Sequence, residues 1–273
     1  MRWLVERIGR DVAPERTLQV CHPQTKYGRL LGERDVMMYD VRPMPPQIAP
    51  ALIELLALAE PATIGHVLHD GFMDIGMRGV LADKRIAGTA VTVRQPGADC
   101  TMIHYALGLV RQGDVLVIDR CGDHRHAATG GAVAYAARVA GVAGIVLDGV
   151  VSDLAELQRY GVPVWARGFS TVTTKHLDLG GAMNVPITCG GVVVHPGDAV
   201  LADETGVLVL PPDTIERRAR SAIAMQGAEK ELFRRLDAGE KLPDISGATA
   251  RVAAAMLSPS LPSAEPCAPP SSG

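Results

Sequence analysis

The stretch from residue 87 to residue 166 constrains the fold most, because short β-branched runs alternate there with helix-forming ones. Ala87 to Val93 has strand composition. Residues 99–110 read as a helix, Gly113-Asp114 as a turn, and Val115 to Asp119 as a short buried strand. An alanine-rich helix over 132–140 follows, then a strand over 144–147, a helix over 153–160 and a strand over 163–166. Strands joined through helices have to run parallel, so this βαβαβ order predicts an α/β fold with helical crossovers.

The flanks are simpler. Ile48, Leu52, Leu55 and Leu56 recur at helical spacing, and a second helix is expected from an N-cap at Thr63 to about His69. Beyond the alternating core, strands are expected over 192–194, 199–202 and 207–210, separated by Pro196-Gly197-Asp198 and Glu204-Thr205-Gly206. Pro211-Pro212-Asp213 then opens a long charged helix to about Leu236. Residues 1–45 read as an irregular N-terminal extension, 46–240 as the α/β domain, 241–257 as a C-terminal helix and 258–273 as a Pro/Ser-rich tail of disordered composition.

Charge and composition remove several function classes. A net charge of −3 leaves no electrostatic footprint for nucleic acid or an anionic membrane surface. No run approaches the ~20 apolar residues of a spanning helix. Arg2, Glu6, Arg7 and Arg10 interrupt the first residues, so a secretory signal is not expected and a cytoplasmic protein is. Five cysteines without a CxxC pair give no expectation of a zinc or disulfide framework.

Two strand-to-helix junctions carry the candidate chemistry. In the first, Asp119 precedes a polar loop (Arg120, Cys121, Asp123, His124, Arg125, His126), and Gly130-Gly131 opens the next helix. Paired glycines there expose backbone N–H groups at the positive end of a helix, where a carboxylate or phosphate fits; a tight turn is the plainer reading. In the second, Ser152-Asp153 precedes a helix carrying Glu156. Asp153 is suited to a hard divalent cation, or it simply complements the first helical turn with Ser152 as the cap. Parallel strands would put both junctions on the carboxyl edge of one sheet, where open α/β folds bind ligands. His66 and His69 lie three apart on one expected helix, with no third ligand in view. Asp203-Glu204 is explained by its hairpin turn, and Glu229-Lys230-Glu231 by a solvated helix face.

Gly131, then twenty residues, then Ser152-Asp153-Leu154-Ala155-Glu156 resembles the signature of the RraA-like family, in its 4-hydroxy-4-methyl-2-oxoglutarate aldolase branch. The resemblance continues through residues 113–119, 141–149, 163–168, 184–191 and 196–207, and spans about residues 50–235. It implies a swivelling β/β/α domain (phosphohistidine-domain-like), making 46–240 an RraA-like catalytic domain that assembles as a homotrimer or hexamer, to which the pass along the chain adds a helical arm at each end. It also implies that a small carboxylic acid substrate rests on the backbone of Gly130, Gly131, Ala132 and Val133 with Ser152 beside it. Asp153 would hold Mg²⁺ (or Mn²⁺), with Ser152 and Glu156 completing the catalytic set.

The family arginine before the aspartate is Ser152 here, and many of the aldolases carry an acidic residue where Gly131 stands. A neutral serine cannot make the bidentate contact of a guanidinium. Arg120, Arg125 or Arg167 could replace it, and His22, Lys26, Tyr27 and Arg29 of the extension could reach a neighbouring site. The expected function is a metal-dependent lyase, an aldolase or decarboxylase acting through a metal-stabilised enolate of a 2-oxo or hydroxy polycarboxylic acid. The alternatives are a diverged lyase or dehydratase, and a non-enzymatic regulator binding a protein partner.

Overall fold

Val115, Leu116, Val117 and Ile118 are all buried, as a strand covered on both faces must be. They lie at the centre of the computed structural model, which describes residues 39–257. The arm residues His22, Lys26, Tyr27 and Arg29 and the tail 258–273 lie outside the described residues.

In chain order the elements are β1 (Tyr39–Val41), α1 (Pro50–Ala57), α2 (Pro61–Gly65), β2 (Arg78–Gly79), β3 (Ile86–Arg94), α3 (Thr101–Leu107), β4 (Asp114–Asp119), α4 (Gly131–Ala140), β5 (Gly144–Val151), α5 (Leu154–Tyr160), β6 (Val164–Phe169), β7 (Gly181–Met183), β8 (Ile187–Cys189), β9 (Val192–Val194), β10 (Ala199–Asp203), β11 (Gly206–Leu210), α6 (Ile215–Asp237), α7 (Leu242–Ile245) and α8 (Ala248–Leu257). Strands β3, β4, β5 and β6 run parallel side by side. On its other flank β3 pairs antiparallel with β10 through its first half and with β7 at its end. Strand β1 then pairs with β7, and β11 with β10.

Alternation along the strands builds three layers. Leu116, Ile118, Ile145 and Leu147 face α3, α4 and α5 through Met102, Ile103, Val133, Ala134 and Leu157. Val115, Val117, Val146 and Trp165 face the other way, onto Ile187, Cys189, Val194, Val200 and Val209. A third cluster seats α1, α2 and α6 on Ala199, Leu201, Leu208 and Leu210. This is a mixed α/β fold with the β/β/α layering the resemblance implies. Among the described residues no helix is long and apolar enough to cross a membrane.

Several boundaries differ from the sequence reading. Helix α2 begins at Pro61 after Glu60 and ends at Gly65; Thr63 lies inside it, its hydroxyl 3.4 Å from the Glu60 carboxylate. Pro61 pre-sets φ at the first helical position, so the cap moves three residues upstream, from Thr63 to Glu60. His66 and His69 therefore do not share a helix, and both are exposed. Strand β1 lies within the region read as irregular, and β7 and β8 have only three residues each, too few to show a period. The expected single helix over 241–257 is two, parted at Ser246-Gly247, where Gly247 takes φ 75.

Strand β5 runs through Val151 rather than stopping at Leu147. A bulge between Leu147 and Val150 re-aims Asp148, whose Oδ2 accepts the Gly190 N–H at 2.8 Å. Gly149 sits in that bulge because a Cβ would stand 2.7 Å from the Arg120 side chain.

Candidate functional site

Helix α4 starts at Gly131, with Gly130 in extended backbone before it. Helix α5 starts after Asp153, whose backbone is left-handed (φ 54, ψ 47), a conformation that aspartate tolerates better than most residues. That turn sends the Asp153 carboxylate back to α4, where Oδ2 accepts the Gly131 N–H at 3.0 Å. The acid thus satisfies one of the amides that a helix N-terminus leaves unpaired.

The bare backbone makes this packing possible. A Cβ at Gly130 would overlap the Asp153 carboxylate and stand 2.7 Å from Ser152 Oγ. At Gly131 it would stand 2.5 Å from Glu156 Cδ and overlap the carboxylate oxygen. Glu156 therefore fills the space that a side chain at 131 would need. Ser152 is buried, and its N–H donates to the Thr129 carbonyl at 3.0 Å. Ser152 and Asp153 line an open cleft of about 620 Å³ with Phe169, Ser170, Thr171 and Thr173.

The structure thus brings Gly130, Gly131, Ser152, Asp153 and Glu156 together at the carboxyl edge. Ala132 and Val133 complete the first turn of α4, with Val133 packed into the core. One relation differs from the expectation: the glycine turn and Asp153 are hydrogen-bonded to each other rather than standing as separate stations.

Two of the three arginines offered as replacements for the family guanidinium are committed elsewhere. Arg120 is fully buried and donates to the carbonyls of Gln95 (3.0 Å), Asp99 (3.1 Å) and Gly97. Arg167 pairs with Asp148 and, at 3.1 Å, with Asp74. Asp148 and then Asp74 keep its guanidinium protonated more firmly than an ordinary arginine, although burial opposes them. Arg125 is exposed, and its carbonyl accepts the hydroxyl of the cleft residue Ser170 at 2.6 Å. The loop histidines are not free surface groups: His124 lies 3.5 Å from Asp148, and His126 lies 2.8 Å from Asp123.

Residues 170–179 form a strap along the carboxyl edge. Ser170 N–H donates to the Val151 carbonyl (2.9 Å), Ala127 N–H to Val172 (2.7 Å), Lys175 N–H to Ala98 (2.8 Å) and Cys100 N–H to Lys175 (3.0 Å). Asp99 locks the far end. Its buried carboxylate accepts from Thr101 N–H and Oγ1 and from the N–H groups of Leu177 and Leu179, all at 2.7–3.1 Å. Burial alone would raise its pKa, but these hydrogen bonds win and hold it at about 2. A depressed carboxylate adds stability above its unfolded pKa, and that stability is lost as the pH falls through the folded value. Asp99→Asn is therefore expected to cost about 2 kcal/mol at neutral pH and to flatten the loss of stability between about pH 4 and pH 2. Urea unfolding at several pH values measures both effects.

Sequence reasoning missed one cluster. Among the described residues, Cys100, His104 and His176 place their ligating atoms within 4.8 Å of one another. The signal available was the four-residue spacing of Cys100 and His104, one helical turn apart. Their partner comes from a loop 76 positions from Cys100.

The family model for RraA-like proteins (Aldolase/RraA) matches residues 65–209, which include the whole site. A protein of Halalkalibacterium halodurans, provisionally named a 4-hydroxy-4-methyl-2-oxoglutarate aldolase, is 34% identical over 148 residues, covering 54% of this chain and 70% of the relative. A Thermus thermophilus protein with the same provisional name is 38% identical over 128 residues, covering 46% and 76%. Among solved structures, a Streptomyces coelicolor member of the ribonuclease ES inhibitor RraA protein family aligns with TM-score 0.61 and 27% identity over 71% of this chain and 98% of that one. With the family model spanning more than half of its residues, the chain belongs to the RraA-like family.

Proposed function

We propose that this protein is a divalent-metal-dependent carbon–carbon lyase, of aldolase or decarboxylase type, acting on a small 2-oxo or hydroxy polycarboxylic acid. One observation carries the reading: Asp153, Glu156 and the Ser152 hydroxyl converge on the bare N-terminus of α4, beside an open cleft. The aldolase names of the relatives support it.

The donor set suits a hard cation. It consists of oxygen alone, with Asp153 and Glu156 exposed, and Mg²⁺ or Mn²⁺ needs only one or two carboxylates while keeping several waters. Asp153 would hold the ion, with Glu156 beside it. When bound, such an ion supplies Lewis-acid stabilisation of the negative charge left on an oxo acid as a C–C bond breaks.

The chain's own residues bind and orient the substrate. The amides of Gly131, Ala132 and Val133 have no carbonyl one turn earlier to pair with, and they sit at the positive end of α4. They receive a substrate carboxylate, which at Gly131 exchanges one acceptor for another. Ser152 contributes a single neutral donor where the family arginine would contribute a charged fork. The working assembly in this reading is a homotrimer or hexamer with the cleft at a subunit boundary. The exposed Phe169 at the cleft, with Tyr135 and Val139 on α4 and Leu154 on α5, supports that assembly.

Pyruvate release from oxaloacetate and from 4-hydroxy-4-methyl-2-oxoglutarate, followed with a coupled dehydrogenase, tests the proposal. Release is expected with Mg²⁺ and background with EDTA. Ser152→Arg is expected to raise the rate about 10²-fold, the low end of what a preorganised charged donor contributes. A metal-replete protein that releases no pyruvate overturns the reading in favour of a dehydratase or of a protein-binding regulator. The likeness to a ribonuclease-inhibitor family member is the finding that favours the latter.

A further inference from the structure

The three residues Cys100, His104 and His176 lie apart from the Asp153 carboxylate set in their chemistry as well as in the fold. One offers sulfur and two offer imidazole nitrogen, whereas Ser152, Asp153 and Glu156 offer oxygen alone. Cys100 Sγ stands 3.9 Å from His176 Nδ1, and the rings of His104 and His176 meet edge to face with centroids 4.8 Å apart. The backbone that carries them is held from three directions. His104 N–H donates to the Cys100 carbonyl at 3.0 Å, which puts those two side chains one turn apart on the start of α3. Cys100 N–H and Lys175 N–H tie the strap to residues 98–100, directly before His176. The Asp99 carboxylate accepts from Thr101 and from Leu177, the residues that follow Cys100 and His176 in the chain.

We infer that Cys100, His104 and His176 form a binding site for a borderline-soft divalent metal ion, Zn²⁺ before others, separate from the oxygen-donor site at Asp153. The ligand chemistry selects the ion: thiolate and imidazole suit Zn²⁺, while Mg²⁺ and Mn²⁺ prefer carboxylates. Tetrahedral zinc would draw the three ligand atoms to about 3.3–3.6 Å of one another, a closure of roughly one ångström that side-chain rotation supplies. Cys100 is buried while both histidines are exposed, so the ion enters from solvent and a water completes its shell. The buried Asp99 carboxylate beneath adds negative charge and fixes both supporting segments, as outer-shell groups do in metal sites.

The consequence is positional. The strap that carries His176 also supplies Ser170, Thr171 and Thr173 to the cleft at Asp153. An ion at the cluster staples the far end of that strap to α3. The inference stands apart from the reaction assigned to Asp153, and its test reads metal binding rather than turnover.

The experiment is a titration of the chelator-stripped full-length chain with Co²⁺ as a spectroscopic stand-in, followed by Zn²⁺ competition. One equivalent of Co²⁺ should give a thiolate-to-metal charge-transfer band, which Zn²⁺ then bleaches. Cys100→Ser and the surface variant His176→Ala should abolish the band and weaken Zn²⁺ binding by more than the about 10–100-fold that loss of an outer-shell partner costs. Asp153→Ala should leave the band intact. Absence of the band in the unaltered chain overturns the inference, as does a band that survives His176→Ala or Cys100→Ser and so belongs to another thiol, such as exposed Cys121.

Discussion

Replacing Arg120 with methionine is expected to lower the unfolding free energy by about 3–5 kcal/mol, the range for breaking a buried charge cluster. The guanidinium is wholly buried and gathers the carbonyls of Gln95, Gly97 and Asp99, with the Asp123 carboxylate 3.6 Å away. Methionine fills most of the volume but donates nothing. Three carbonyls would then lose their donor, while the Asp123 carboxylate keeps the N–H groups of Arg125 and His126. Each buried acceptor left without a partner costs about 1–3 kcal/mol, which a neutral methionine cannot offset. Arg120→Lys should recover less than half of the loss, because one ammonium cannot reproduce the fork that serves three carbonyls. Urea unfolding measures both variants, and a loss under about 1 kcal/mol for Arg120→Met would show that solvent replaces the guanidinium. The same clamp explains why Arg120 does not stand in for the missing family arginine: it holds the loop after β3 in place.

Asp153→Ala is expected to reduce kcat/KM for metal-dependent pyruvate release by about 10²–10³, the scale for removing a preorganised electrostatic group. It should do so without unfolding the chain, since Asp153 is exposed at the end of β5. Alanine removes the acceptor of the Gly131 N–H and also strains the left-handed backbone at φ 54. Asp153→Asn separates these effects, because asparagine accepts the same hydrogen bond and tolerates the same backbone. Equal losses in the two variants assign the effect to the carboxylate charge and so to cation binding. Activity retained in Asp153→Asn would instead give Asp153 a purely structural place at the helix start, and the lyase mechanism would fail.

The parts of this site that were legible in the sequence are the ones with local causes. Gly130-Gly131 directly precede an alanine-rich helical run, and Ser152-Asp153 with Glu156 mark another helix start one junction later. The alternation between them predicts parallel strands, and parallel strands put both junctions on one edge. Less legible were the short elements: β7 and β8 have three residues each and are set by their partners rather than by any period of their own. In helix α2 Thr63 looks like a cap, whereas Pro61 fixes the first helical position and the cap is Glu60, three residues earlier.

What the sequence by itself determined is the α/β order and the family to which the glycine turn and Asp153 belong. The tertiary structure decided what those residues do to one another. Asp153 reaches across 22 positions to the Gly131 amide, and Glu156 occupies the space that the absence of a side chain at 131 leaves open. It also decided that Arg120 and Arg167 are spent on carbonyls and on Asp148, and that His176 arrives beside Cys100 and His104 from a distant strap. The physical reason is range. Periodicity, caps and turn residues act over a few positions of the chain, whereas a hydrogen bond, an ion pair or a ligand set is fixed only when strand register and crossovers bring remote segments within about 3–4 Å.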